Sequence, residues 1–284
     1  MDLDRRFLAL ALVLQLATLA MRAIAWRNVL GAAYPREKIP LFPLGCAYAA
    51  GMALNAYLPA RGGEGAKVAF ARGQIAGSSV PTIAASLSVL LVWDFLFGAS
   101  LIVVLWATGV LPALPSLPAL GFAPIAVVVA GVVALGLVRR SRAVLMGFCC
   151  SAARGFAILR CPLLYARSVL PFQLGAWACR VGVVYFVLEA FRIEAGLETA
   201  LLVVVLNGLS TAVPVPGGAG SQQILATYAL QGVISTAAAV SFSISMQVGI
   251  TAVNTTVGLL ATMLLFRTMR PLAAARSARA RLAR

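Results

Sequence analysis

Residues 80–106 read Val80-Pro-Thr-Ile-Ala-Ala-Ser-Leu-Ser-Val-Leu-Leu-Val-Trp-Asp-Phe-Leu-Phe-Gly-Ala-Ser-Leu-Ile-Val-Val-Leu-Trp106, with one charge, Asp94, near the middle. About 20 apolar residues in a helix cross the roughly 30 Å hydrocarbon layer of a bilayer. This run is therefore long enough to span one. Four others resemble it: Phe7–Trp26, Phe122–Val138, Ser168–Phe191 and Thr236–Phe266.

The whole chain follows the same pattern. Of its 284 residues 62% are hydrophobic and 11% charged, with a mean hydropathy of +0.97. A soluble domain averages about 45–50% apolar and about 25% charged residues. So little polar surface cannot cover a water-soluble globule, and lipid is the solvent that fits. The expected fold class is all-α: a polytopic helical membrane bundle, one transmembrane domain over residues 1–284. Met1–Arg6 before an apolar run has the outline of a signal peptide. The length of the run, the lack of a small-residue cleavage site and the later spans argue for a retained helix.

The net charge of +15 comes from 21 Arg and 2 Lys against 8 acids. The arginines stand between spans, so the positive-inside rule accounts for them and nucleic acid is not the expected partner. A basic inner face also attracts anionic headgroups, at about 1 kcal/mol per charge. There is no His, and the five Cys form no C-x-x-C. Neither a zinc site nor a disulfide framework is indicated, and the commonest general base is missing. No catalytic residue, metal or cofactor is expected, and the chain does not read as an enzyme.

Two loops set an orientation. Gly109–Gly121 is uncharged and proline-rich, as expected outside. Arg139–Arg167 carries six Arg and no acid, and the tail 267–284 carries six more, as expected inside. The segment from Glu198 to Thr236 must then leave the outer side and return to it. Its apolar arms, Thr199–Val213 and Gln222–Val233, are short; fifteen helical residues reach only about 22 Å. A re-entrant hairpin fits better than two spans.

The turn of that hairpin, Pro214-Val-Pro-Gly-Gly-Ala-Gly220, has a counterpart in Pro59-Ala-Arg-Gly-Gly-Glu-Gly65. Each follows an apolar arm with an Asn, Asn55 or Asn207, and each lies between two spans. Both halves read span, broken hairpin, span: a first repeat over 7–108, a linking span over 122–138, a second repeat over 168–266 and a basic cytoplasmic tail over 267–284. With the first span running outside to inside, the halves are inverted copies, the pattern of duplicated transporter architectures. A rival topology makes Leu41–Ala60 a full span with the N-terminus inside. Charge counting barely separates the two, and the symmetry favours the first.

Broken backbone inside a membrane is tolerated where it lines a cavity or meets a ligand. Helix N-termini after the glycine turns offer N–H groups and a positive dipole end to an anion. The candidate substrate-binding groups are therefore Asn55, Arg61, Gly62, Gly63, Glu64 and Lys67 at the first turn. At the second they are Asn207, Pro216, Gly217, Gly218, Gly220 and Gln223. Glu64 is expected to pair with Arg61 or Lys67, or to carry a coupling proton; an ordinary charged cytoplasmic loop is the plain alternative. Asp94 and Arg180 are added because a charge at mid-span costs about 2.5–3.5 kcal/mol on insertion scales. They either pair across the bundle or, for Arg180, meet substrate. Arg22 and Glu189 lie near span ends and are expected to snorkel. Gln222, Gln223, Gln247 and Asn254 are expected to bond between helices. Trp26, Trp93, Trp106 and Trp177 are expected as interfacial anchors or packing.

At these motifs the chain resembles the lysylphosphatidylglycerol synthase transmembrane-region family, also described as flippase-like. The matching stretches are Arg22-Ala-Ile-Ala-Trp-Arg27, Asn55–Gly65, Asp94, Trp177 and Pro214–Gly220, which together cover most of the chain. The resemblance implies a multi-pass protein of a bacterial or archaeal inner membrane that translocates lipids or lipid-linked molecules. In relatives a Glu–Arg pair often precedes the aspartate, where Leu90 and Leu91 stand here. Gln223 stands where a Glu is usual and Gln247 where an Arg is common, which counts against charge coupling. Against many relatives one leading span is expected to be absent, and no aminoacyl-transfer segment is expected after Phe266, so synthesis of a lysyl-lipid is not expected.

The expected function is membrane translocation of an anionic phospholipid or lipid-linked molecule, with membrane lipids as partners. Two alternatives remain open: a proton-coupled transporter of a small anion, and a non-transporting membrane partner of a lipid- or glycan-modifying enzyme.

Overall fold

The computed structural model describes residues 4–58, 62–75, 77–110, 151–210 and 220–266. Among them the structure is helical and contains no strand. Four helices are long and apolar enough to cross a membrane: α1 (Arg5–Ala33), α4 (Val80–Ala107), α6 (Leu170–Ala190) and α9 (Thr236–Phe266). The short helices are α2 (Leu41–Asn55), α3 (Gly63–Arg72), α5 (Pro162–Ser168), α7 (Leu197–Ser210) and α8 (Ser221–Ala229). The chain is a polytopic membrane protein. The linking span over 122–138 and the tail over 267–284 lie outside the described residues.

Local chemistry sets the helix ends. Asp4 caps α1, its carboxylate accepting from Arg6 N–H at 2.9 Å. Tyr34 and Pro35 close α1 seven residues beyond the expected end at Trp26. Ser79 caps α4 by accepting from Thr82 N–H, with Pro81 in the first turn. The helix α2 stops at Asn55, and its 15 residues reach about 22 Å, too short for a full span.

Helices α1 and α6 run antiparallel along their whole length. Asp4 N–H donates to Ala190 C=O at 3.3 Å, and the rings of Phe7 and Phe186 stack at 6.1 Å. Further along, Leu14 lies against Gly182 and Met21 against Gly175, and Asn28 donates to Ser168 C=O at 2.6 Å. One end of this seam carries Arg27, Arg36 and Lys38, joined by Arg154, Arg160 and Arg167. The other carries Asp4, Glu189, Glu194 and Glu198 beside Arg5, Arg6 and Arg192.

Residues that flank the short helices meet near these two ends. Tyr34, after α1, accepts a hydrogen bond from Ser79 N–H at 3.1 Å, so the chain returns to the arginine end after α2 and α3. At the acidic end Ala195, before α7, shares a hydrophobic cluster with Leu230 and Ala239, which follow α8. The Phe191 and Phe242 rings meet edge-on there at 5.5 Å. Helix α9 packs on α2 through small residues: a Cβ on Gly258 would strike Ala53 Cβ and lie 2.8 Å from Ala49 C=O.

Candidate functional site

Polar side chains gather at three places along the spans. The first joins α1, α4 and α6. Both terminal nitrogens of Arg22 donate to Asp94, Nη2 to Oδ1 at 2.8 Å and Nη1 to Oδ2. Trp177 Nε1 donates to Asp94 Oδ1 at 3.0 Å, and the Arg180 guanidinium lies 5.4 Å from the Trp177 ring centroid. Side-chain exposures of 8% for Arg22 and 16% for Asp94 show that water does not compensate these charges; they compensate each other. The expectation that Arg22 snorkels is thus corrected. The apolar run that ends at Trp26 puts Arg22 near a helix end, but α1 continues to Ala33 and leaves Arg22 well inside. Trp26 and Trp177 are buried and hydrogen-bonded, Trp26 to Ser86 Oγ at 3.1 Å, whereas Trp106 at the end of α4 is exposed.

The second place is the junction of α2 and α3. Lys67, 2% exposed, pairs with Glu64 Oε1 at 2.9 Å, lies 3.3 Å from Met52 Sδ and stands 4.2 Å from the Tyr48 ring centroid. Asn55 Nδ2 donates to the same Glu64 oxygen at 2.9 Å, while Asn55 Oδ1 is buried without a hydrogen-bond partner. A solvated cytoplasmic loop does not bury a lysine this way, so Glu64 and Lys67 belong to the protein interior. The motif glycine Gly63 is needed for closeness: a Cβ there would strike Gly51 C=O and lie 2.7 Å from Asn55 N. Gly65 faces open space. Gly62 is exposed at the N-terminus of α3, and Arg61 lies outside the described residues. Tyr48 also neighbours Arg22, linking this cluster to the first.

The third place is the start of α8. Gly220 adopts φ +84°, a conformation that favours glycine, and its N–H donates to Gln223 Oε1 at 2.6 Å. Gln223 Nε2 donates to Gln247 Oε1 of α9 at 2.5 Å. Asn207 Oδ1, at the end of α7, is buried and has no hydrogen-bond partner. Pro216, Gly217 and Gly218 lie outside the described residues. The start of α8 is therefore bonded through neutral amides, and the start of α3 carries an ion pair.

Residues beside each turn bond α9. Tyr57, just past α2, shares a 2.9 Å hydrogen bond with Thr255, and Gln223 bonds Gln247. These positions flank the midpoint of α9 and are separated by about 12 Å at 1.5 Å per residue. Between them Asn254 accepts from Gln15 of α1 at 2.9 Å.

Of the residues gathered at these three places, sequence reasoning had singled out Asp94, Arg180, Glu64, Lys67 and Gln223, read Arg22 as snorkelling, and did not name Tyr48 or Gln15. A tyrosine in an apolar arm carries no signal of a cation on its face. Outside the spans, burial and then the charge of Asp94 push the Tyr165 hydroxyl up to about 12; it stays protonated and donates to Gln173 Oε1 at 2.6 Å. Among the described residues no group of His, Cys, Asp and Glu is placed to hold a metal ion, and Cys46, Cys161 and Cys179 are unbonded.

Comparison with curated proteins and with solved structures returns no match. The family model of the lysylphosphatidylglycerol synthase TM region matches residues 1–271, which include every described residue, and the protein belongs to that family.

Proposed function

We propose that the protein translocates the headgroup of an anionic phospholipid or lipid-linked molecule across a bacterial or archaeal inner membrane. The observation that supports this reading is that Tyr57, just past α2, and Gln223, at the start of α8, bond α9 on either side of its midpoint, as two re-entrant hairpins would require. A chain that only anchored itself would have no use for interrupted helices at that depth. The antiparallel seam of α1 and α6 supports inverted halves, since an inverted repeat opposes its equivalent helices. Packing of α2 on α9 and of α7 on α4 supports the same exchange. The helix N-termini at Gly63 and Ser221 direct positive dipole ends toward the turns, which suits an anion, and the family supports a lipid-related role.

The proton-coupled alternative is weaker, because the second turn is neutral at Gln223 and Gln247. A role beside a membrane enzyme is the third reading and draws on no particular contact. A reconstituted assay with acyl-labelled phosphatidylglycerol separates them. Arg61→Ala and Gln223→Leu are expected to slow flipping about tenfold or more while the purified chain stays monodisperse. Wild-type rates in both variants would overturn the proposal, and a rate that tracks an imposed pH gradient would favour the proton-coupled transporter.

A further inference from the structure

We propose that the cavity at the arginine end of α1 is a binding site for the headgroup of an anionic phospholipid, separate from the hairpin turns. It is an open cleft of about 460 Å³, lined by Arg27, Asn28 and Gly31 of α1 and by Glu37, Lys38 and Ile39 of the loop before α2.

Depth is the first argument. Arg27 and Gly31 stand 22 and 26 residues beyond Arg5, or about 33–39 Å along the helix, while the hydrocarbon layer takes up about 30 Å. The cavity therefore sits at the level of headgroups rather than acyl chains. Charge is the second. The lining has two cations and one acid, Glu37, leaving one positive charge for one phosphodiester. Arg36, Arg160 and Arg167 stand at the same end and raise the local potential. The opposite end of the bundle, with Asp4, Glu189, Glu194 and Glu198, offers no such excess.

Built geometry is the third argument. Arg27 Nε donates to Ile39 C=O at 2.9 Å, which fixes the guanidinium against the loop, and Asn28 ties this end of α1 to Ser168. A planar guanidinium held in place suits a phosphate better than a mobile surface lysine. Gly31 leaves room: a Cβ there would meet nothing within 4 Å. The source of the phosphate follows from what comes next in the chain. Leu41 and Phe42, 42% and 67% exposed, start α2 directly after the lining residue Pro40. Acyl chains below a bound headgroup would cover them, and a free phosphate would not.

The test is native mass spectrometry of the full chain in detergent, titrated with phosphatidylglycerol. Lys38→Gln is expected to weaken the first bound lipid about fivefold, the equivalent of about 1 kcal/mol per charge. Gly31→Leu fills the cavity without changing charge and is expected to weaken it at least as much. Both leave the Arg27–Ile39 contact in place. Arg154→Gln, at the same end but outside the lining, is expected to have no effect. Unchanged affinity in the first two variants overturns the site, as does an equal loss in Arg154→Gln. Equal binding of phosphatidylethanolamine, or displacement by excess inorganic phosphate, overturns the anionic-lipid assignment. The readout is binding alone, so a failure of translocation leaves this result standing and the reverse also holds.

Discussion

Arg22 and Asp94 show how a charge is tolerated deep in a span: two donors meet two acceptors, and Trp177 supplies a third hydrogen bond. Removing one partner of such a buried pair strands the other and costs about 3–5 kcal/mol. Arg22→Ala is therefore expected to lower the thermal stability of the detergent-solubilised protein sharply. Arg22→Gln combined with Asp94→Asn is expected to recover most of the loss, as read by the fraction surviving heating on size-exclusion chromatography. A double variant as unstable as Arg22→Ala would mean that the ion pair is not the cause. Asp94 was legible in the sequence because a lone acid in an apolar run demands a partner. The identity of that partner was not, since Arg22 is 72 residues away and only packing joins them.

Among the elements, the α2–α3 hairpin makes a sharp distinction between glycines of one motif. Gly63→Ala would force its methyl into Gly51 C=O and Asn55 N, and overpacking of this kind costs about 1–3 kcal/mol. Gly65→Ala meets nothing and is expected to be silent. Comparing the yield and melting of the two variants checks this, and equal behaviour would show that the helices are not in contact through Gly63. The bounds of α4 and α9 were readable to within a residue, because long apolar runs leave little choice. The repeated Pro and Gly punctuation also marked where α3 and α8 begin. What the pattern did not reveal was that Lys67 faces the Tyr48 ring or that Tyr57 and Gln223 both bond α9. Those contacts lie between arms of different helices, beyond the reach of any local periodicity.

For the molecule as a whole, the antiparallel α1–α6 seam separates charge. The end with Arg27, Arg36 and Lys38 also holds Arg154, Arg160 and Arg167, so by the positive-inside rule that end is expected in the cytoplasm. In a cysteine-free background, Lys38→Cys is expected to react with an impermeant maleimide only after the membrane is opened, and Glu194→Cys without opening. Labelling of both from one side would contradict the arrangement. Charge counting alone hardly chose between the two topologies. The seam favours the first, because with one span over 122–138 a full span over Leu41–Ala60 with the N-terminus inside would set α1 and α6 parallel.

The distance in sequence between Arg22 and its partners bears on biosynthesis. When α1 leaves the ribosome, its arginine has no counter-charge; Asp94 is made 72 residues later and Trp177 later still. The first helix is therefore expected to enter lipid fully only once the fourth arrives to neutralise it. Nascent chains stalled before Asp94 are expected to be extracted by alkaline washing, and chains stalled after α4 to be retained. Extraction that did not depend on the stall point would show that α1 integrates alone.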